Sequence, residues 1–540
     1  MASNFNLLLI VMIFLFFSTN GGANPPNAIK PACELAPDRK ACEKSLSENP
    51  RSLRAGRKEM TQIALNISIP KTQTVRDSIS SDSARSSINT QAVDDCRELY
   101  DLTVDYLRES LSILTESSME WKDAVDIQSY QSAALTNQIT CLESLNEAKM
   151  DLNLLPFTDY VANASVAVSN SLAIVEKLFI RAKESQQTSV NRRRLLSEAR
   201  QIDFFSWMSG EDRRLLLQTA AGVNLTGNVL TVAKNGSGNY TTITDAINAV
   251  ANKSSSRTVI YVMAGVYEEY VRVGKNKYNI MIIGDGKNAT VITGNRSVAD
   301  GYTTFKSATF ATVGKGFIAR DLTIQNTAGP KKHQAVALRV GGDQSAFYRC
   351  SFKGYQDTLY SHSFCQFYRE CDIYGTVDFI FGNSAVVFQN CTILARKPLK
   401  GQKNTITAQG RTDPNQNTGT SIHACNVTAA PDLVPVISSF HTYLGRPWKK
   451  YSRAVYMQSY LGSLIDPAGW LVWNGSFALS TLYFGEYENW GPGSNTSYRV
   501  KWPGYHVMNR IDALNFTVSN FVNGDTWLPA TSIPYRGGLY

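Results

Sequence analysis

Two stretches in the C-terminal half are near copies of each other. They are Phe347-Tyr348-Arg349-Cys350-Ser351-Phe352-Lys353-Gly354-Tyr355-Gln356-Asp357 and Phe367-Tyr368-Arg369-Glu370-Cys371-Asp372-Ile373-Tyr374-Gly375-Thr376-Val377-Asp378. In both, Cys is followed four residues later by Gly and seven later by Asp. Related settings recur at Asp321, Cys391 and Cys425, as in Arg320-Asp321-Leu322-Thr323-Ile324 against Asn390-Cys391-Thr392-Ile393-Leu394. One copy of roughly 20 residues is too small to bury a core alone, so copies must stack. The surrounding segments are short and β-rich, at residues 258–262, 280–283, 311–313 and 317–319, with Gly and Asn between them. The expected fold from about Leu225 onward is therefore an all-β solenoid, a right-handed parallel β-helix, rather than a sandwich. Inward residues of such coils form ladders, and Cys350, Cys371 and Cys391 are expected in one. Cys371 and Cys391 are expected to be disulfide-bonded, with stacked free thiols as the alternative.

The repeat also places chemistry. Asp357 and Asp378 stand 21 residues apart at equivalent positions. If one repeat is one coil, their carboxylates lie on one face about 5 Å apart. Two carboxylates so close cannot both ionise easily, so one pKa rises and the other falls, giving an acid and a nucleophile. The bland alternative is a pair of turn-capping aspartates. Gln356 precedes Asp357, and Gln334 lies in Gln334-Ala335-Val336-Ala337-Leu338; neutral amides can donate to a developing oxyanion. Arg446, in Leu444-Gly445-Arg446-Pro447-Trp448, can hold one carboxylate ionised beside an aromatic suited to stacking on a sugar. No G-x-S-x-G elbow and no Cys-His setting is present. No C-x-x-C pattern occurs and the five His are scattered, so neither a metal nor another cofactor is expected.

At 540 residues the chain should hold two or three domains. An unbroken apolar run of 11 residues, 7–17, is too short to span a bilayer and fits a signal-peptide core, although no Lys or Arg precedes it. Gly21 and Ala23 give a small-x-small cleavage pattern, so residues 1–23 are expected to be a signal peptide; an uncleaved anchor is the alternative. Thirteen Asn-x-Ser/Thr sequons from Asn66 to Asn515, and nine Cys, suit a disulfide-bonded glycoprotein of the secretory route. Residues 218–540 carry 30 Lys+Arg against 18 Asp+Glu, whereas residues 1–217 carry 24 against 27. The basic part points to a polyanionic partner. Secretion excludes nucleic acid, leaving an acidic extracellular polymer.

Residues 24–190 read as helical, with amphipathic patterns over 93–119, 123–145 and 160–180. In the first, Leu99, Leu102, Tyr106, Leu107, Ile113 and Leu114 fall near one face. Long helices with short joints imply an antiparallel four-helix bundle. Cys33 and Cys42 are spaced for a small loop and Cys96 and Cys141 for a tie between helices, although spacing alone does not fix pairing. Residues 191–217 are a basic linker holding Arg193-Arg194-Leu195-Leu196 and Arg213-Arg214-Leu215-Leu216, two expected processing sites for a protease.

The chain resembles the plant pectin methylesterases (pectinesterases), in the long form with an N-terminal inhibitor-like region. Five separated blocks carry the resemblance: Gly265-Val266-Tyr267-Glu268-Glu269; Gln334 to Leu338; Gly354-Tyr355-Gln356-Asp357-Thr358-Leu359; Asp378-Phe379-Ile380-Phe381-Gly382; and Leu444 to Trp448. The resemblance covers about residue 218 to the end. Residues 24–190 resemble, through their four Cys and helical pattern, the invertase and pectin methylesterase inhibitor family. The resemblance implies a secreted cell-wall carboxylic-ester hydrolase that turns methylesterified pectin into pectate and methanol. It implies Asp378 as nucleophile, Asp357 as proton donor and later base, and Gln356 as transition-state stabiliser. Thr304, Gln334, Arg446 and Trp448 are implied as substrate contacts. It also implies a monomer without cofactor, free of the membrane after maturation, with proteinaceous inhibitors as further partners. Residues 24–190 would inhibit in cis or assist folding until removed. Two other readings compete: a pectin-cleaving β-helical hydrolase or lyase, and an inhibitor acting through residues 24–190.

Overall fold

The computed structural model describes residues 27–82, 90–116, 118–150, 157–181 and 229–540. The apolar run, its cleavage pattern and both Arg-Arg-Leu-Leu copies lie outside the described residues.

From Val229 the chain winds into three parallel sheets of 11, 7 and 8 strands, in which successive coils lie side by side. The sequence repeat is the coil. Phe347 pairs with Tyr368, Ser351 with Asp372 and Leu359 with Ile380, each 21 residues on, so the copies stack in register on all three sheets. Inside the 11-stranded sheet one ladder runs Ile282, Ala319, Phe347, Tyr368, Phe388, Ile422, Tyr456. Every member is buried. Its aromatic rungs stack, with ring centroids 4.7 Å apart for Phe347–Tyr368 and 4.6 Å for Tyr368–Phe388. Each such pair contributes about 0.5–1.5 kcal/mol beyond the area it buries.

The cysteine ladder forms and extends to Cys425, but the expected Cys371–Cys391 disulfide does not: both are buried free thiols. The alternative of stacked thiols holds, and each sulfur has carbonyl partners nearby. The Cys371 thiol donates to the Phe347 and Arg369 carbonyls at 3.5 and 3.4 Å, and the Cys391 thiol to those of Tyr368 and Gln389 at 3.5 and 3.6 Å.

The N-terminal part holds four long helices, α1 (Arg57–Asp82), α2 (Thr90–Glu116), α3 (Trp121–Glu147) and α4 (Thr158–Val175). They pack α1 on α2, α2 on α3, α3 on α4 and α4 on α1, a four-helix bundle. The α2 and α3 patterns are those read from the sequence. The α4 reading to residue 180 is met by one π-helical turn, Glu176–Ile180. Helix α1 has no such signal, since Pro70 interrupts it and its apolar residues do not keep to one face. Cys33–Cys42 and Cys96–Cys141 are disulfides. The second joins the start of α2 to the end of α3, so these helices run antiparallel.

The bundle lies on the seven-stranded sheet. Val93, Cys96, Leu99 and Tyr100 of α2 and Cys141 and Leu145 of α3 share one apolar cluster with Phe305, Ala311, Tyr360, Phe381 and Ala408 of the β-helix. Among the described residues, no helix is long and apolar enough to cross a membrane.

Candidate active site

Asp357 and Asp378 each sit two residues before a strand of the seven-stranded sheet, Leu359–Ser361 and Ile380–Gly382, which are direct neighbours. Both have left-handed backbone, φ 61° and 51°, a conformation Asp accepts more readily than most residues. The glycines of the repeat make this turn possible. A Cβ on Gly375 would collide with the Phe379 side chain and the Tyr355 carbonyl, and one on Gly354 with Thr358. The chain thus folds tightly over each glycine before presenting its aspartate. The Asp357 N–H donates to the Val377 carbonyl at 3.1 Å, tying the two turns together.

Both carboxylates are nearly sealed from solvent, yet their surroundings differ. The Arg446 guanidinium grips Asp378 with two hydrogen bonds, Nε to Oδ1 at 2.8 Å and Nη2 to Oδ2 at 2.6 Å. The Thr405 hydroxyl donates to Oδ1 at 2.6 Å and accepts from the Asp378 N–H at 2.9 Å. Such charge-assisted bonds are short and directional, and they fix where the carboxylate points. Asp357 has no arginine of its own. Burial, and then the Asp378 charge, push its carboxyl well above the usual carboxylate range. One aspartate is therefore fixed in direction by its partners, while the other keeps a proton at pH values where an ordinary carboxyl has lost it.

Every residue named from the sequence for this site lines one cavity of about 300 Å³: Thr304, Gln334, Gln356, Asp357, Asp378, Arg446 and Trp448. Sequence reasoning did not single out Tyr360, Phe381 or Trp473, which line it too. Tyr360 and Phe381 are in register and stack at 4.2 Å to form its floor, and the Arg446 guanidinium lies 4.4 Å over the Trp473 ring. Two of the three had a signal, since Tyr360 follows the Gly354–Leu359 block directly and Phe381 lies inside the next. Trp473 and Thr405 belong to no block.

One wall of the cavity comes from the helical domain. Thr140, Glu143, Ser144 and Glu147 of α3 line the same cavity. The Glu147 carboxylate accepts from the Thr304 N–H at 2.8 Å and its hydroxyl at 2.7 Å. Glu143 pairs with Lys449, and burial pushes its carboxyl up to about 7 against that lysine's pull. The Thr140 hydroxyl meets His362 Nε2 at 3.0 Å.

Residues 229–525 match the Pectinesterase family, and residues 27–174 match the Plant invertase/pectin methylesterase inhibitor family. Pectinesterase 2 of Citrus sinensis is 48% identical over 539 residues, covering 99% of each chain. Probable pectinesterase/pectinesterase inhibitor 20 of Arabidopsis thaliana is 46% identical over 546 residues, covering 96% of this chain and 94% of that one. Among solved structures, pectin methylesterase from carrot is similar at 56% identity and a TM-score of 0.58, over 58% of this chain and 99% of that chain.

Proposed function

Since the chain belongs to the pectinesterase family and carries an inhibitor-like domain ahead of its esterase domain, we propose that it demethylesterifies pectin with Asp378 as nucleophile and Asp357 as acid and base. The observation that carries these assignments is the asymmetry of the pair: Arg446 and Thr405 grip and aim the Asp378 carboxylate, whereas Asp357 has no such partner and burial and the Asp378 charge push its carboxyl upward.

Asp378 attacks the methyl-ester carbonyl carbon of a galacturonate unit. Gln334 and Gln356 donate to the oxyanion of the tetrahedral intermediate. As the C–O bond breaks, Asp357 gives its proton to the departing methoxide, releasing methanol and leaving an anhydride between Asp378 and the uronate. Asp357, now ionised, takes a proton from a water molecule, whose oxygen attacks the uronate carbonyl. Collapse frees the uronate carboxylic acid and restores both aspartates. Thr304 and Trp448 hold the sugar chain. No step calls on a metal or other cofactor.

The unprocessed chain is silent in this reading, because Glu143 and Glu147 of α3 stand where the polymer must lie. Cleavage by a protease at an Arg-Arg-Leu-Leu copy between residues 191 and 217 frees the esterase domain. Residues 1–23 direct the chain through the secretory route to the cell wall, where the monomeric enzyme meets pectin and separate inhibitor proteins.

The test is methanol release from methylated pectin by residues 218–540, beside Asp378→Asn and Asp357→Asn. Release by the parent domain without shortening of the polymer is expected, with almost none from Asp378→Asn. Activity surviving in Asp378→Asn would overturn the nucleophile, and polymer shortening would favour a chain-cleaving enzyme.

A further inference from the structure

The floor of the cavity does not end at Tyr360. In register across the seven-stranded sheet, Ala408 pairs with Phe381, Phe381 with Tyr360, Tyr360 with Arg339, Arg339 with Ala311 and Ala311 with Arg272. All six positions share one face, because residues directly opposite on paired strands point the same way. The row thus leaves the carboxylate pair as an aromatic floor and becomes basic. At about 4.8 Å per strand, Arg339 lies one step and Arg272 three steps beyond Tyr360. Lys306 flanks the row beside Phe305, over whose ring the Arg339 guanidinium stacks at 3.4 Å.

Helix α2 covers this basic stretch with carboxylates. Asp95 and Glu98, one turn apart, take up Lys306 at 3.3 and 2.8 Å, and Glu98 also reaches Arg272 at 3.3 Å. The match is incomplete. Arg339 is 1% exposed, its nearest carboxylate oxygen on Glu98 is 3.8 Å away, and its Nε and Nη1 have no hydrogen-bond partner. A buried guanidinium with two unused donors is costly if pro-domain docking is its only purpose.

We propose that Arg339, Arg272 and Lys306 form a subsite for free uronate carboxylates, continuous with the catalytic cleft, which Asp95 and Glu98 occupy in the full chain. The occupant is a stretch of pectin that has already lost its methyl esters, a reading that rests on the esterase function above. Guanidinium and ammonium groups accept a carboxylate and gain nothing comparable from a methyl ester. A polymer with an ester at Asp378 and free acids over this row is therefore held better than one esterified throughout. The enzyme favours esters beside its own product, and α2 closes the row by imitating that product.

The experiment uses residues 218–540, a unit about as long as the carrot enzyme that 58% of this chain matches over 99% of its length. Polygalacturonate is added as a competitor of methanol release from highly methylated pectin. For Arg272→Gln/Lys306→Gln its inhibition constant should rise at least about tenfold, since tenfold is the worth of one charge-assisted hydrogen bond and the variant removes two cationic donors. The ratio of kcat/KM on highly methylated pectin to that on half-de-esterified pectin should rise with it. Arg339→Gln, if it folds, should do the same. Lys501→Gln, an exposed lysine on a late loop, should leave the inhibition constant unchanged and so separate this row from the overall basic charge. An unchanged constant in the double variant overturns the subsite. So does a double variant that only activates the full chain, since the row then serves docking alone. Absence of methanol release by the parent domain would instead overturn the esterase reading beneath it.

Discussion

Asp378 is held by three hydrogen bonds from two residues that lie far from it in sequence, Arg446 and Thr405. The guanidinium fixes both charge and direction, and a lysine supplies only the first. Arg446→Lys should lower kcat about 100-fold, the scale of losing one preorganised polar contact in a reacting site, with little change in the unfolding midpoint. Thr405→Val removes the hydroxyl from Oδ1 and leaves the Asp378 N–H without its acceptor, and kcat should fall about tenfold. Steady-state methanol release from residues 218–540 measures both. Parental kcat in the Arg446→Lys variant would mean that the bidentate grip does not matter. Arg446 was readable in the sequence because it lies in a compact block with Pro447 and Trp448. Thr405 was not, because its bond to Asp378 crosses 27 residues to the next coil and it is one of many β-strand threonines. Local motifs record the residues that a turn presents, not those that a neighbouring coil brings beneath them.

At the scale of one element, α3 decides whether the cleft is open. Thr140, Glu143 and Glu147 recur at helical spacing on one face, and all three touch the catalytic domain. Glu147→Ala removes two hydrogen bonds to Thr304 and should raise methanol release by the uncut chain about tenfold or more. The same helix makes closure depend on pH. Docked Glu143 has its carboxyl pushed up to about 7 from an ordinary 4.5, so the closed form binds the extra proton. Closure therefore weakens as pH rises from about 4.5 towards 7. Glu98 acts in the opposite sense. Burial disfavours its charge, but Arg339, Lys306 and Arg272 hold its carboxyl at about 2, so its contribution is full above 4.5 and is lost only on acidification below that. Burial also raises the carboxyls of Glu147 and Asp95, which act in the same sense as Glu143. The activity of the full chain relative to residues 218–540 should climb several-fold between about pH 5 and 7, and Glu143→Gln should make the climb shallower. A ratio independent of pH in the parent chain would remove Glu143 from the account. None of this was readable from α3, where these residues look like an ordinary polar helix face, because their partners stand on another domain.

The whole molecule joins a fold announced by its repeat to one announced only by helical periodicity. The solenoid was readable because the 21-residue sequence step is also the strand-pairing step, so one pattern fixes coil, ladder and aspartate spacing together. The cover was not readable, since the contacts of α3 with the esterase domain span 157 residues and more and use threonine and glutamate without motif. What keeps the cover in one piece is Cys96–Cys141, which joins α2, whose acids sit on Lys306, to α3, whose acids sit on Thr304 and Lys449. Closing a loop with a sequence separation of 45 contributes about 4 kcal/mol through the unfolded chain. That is a large share of what a bundle of this size has in reserve. Cys96→Ser/Cys141→Ser should lower the bundle's unfolding midpoint and activate the uncut chain, and dithiothreitol should do the same to the parent. The esterase domain, whose five described cysteines are free thiols, should gain nothing from the reductant. Methanol release from uncut chain and isolated domain, each with and without dithiothreitol, measures the difference. A chain equally silent in both conditions would show that the apolar seal on Phe305, Tyr360 and Phe381 holds the cover down without the cross-link.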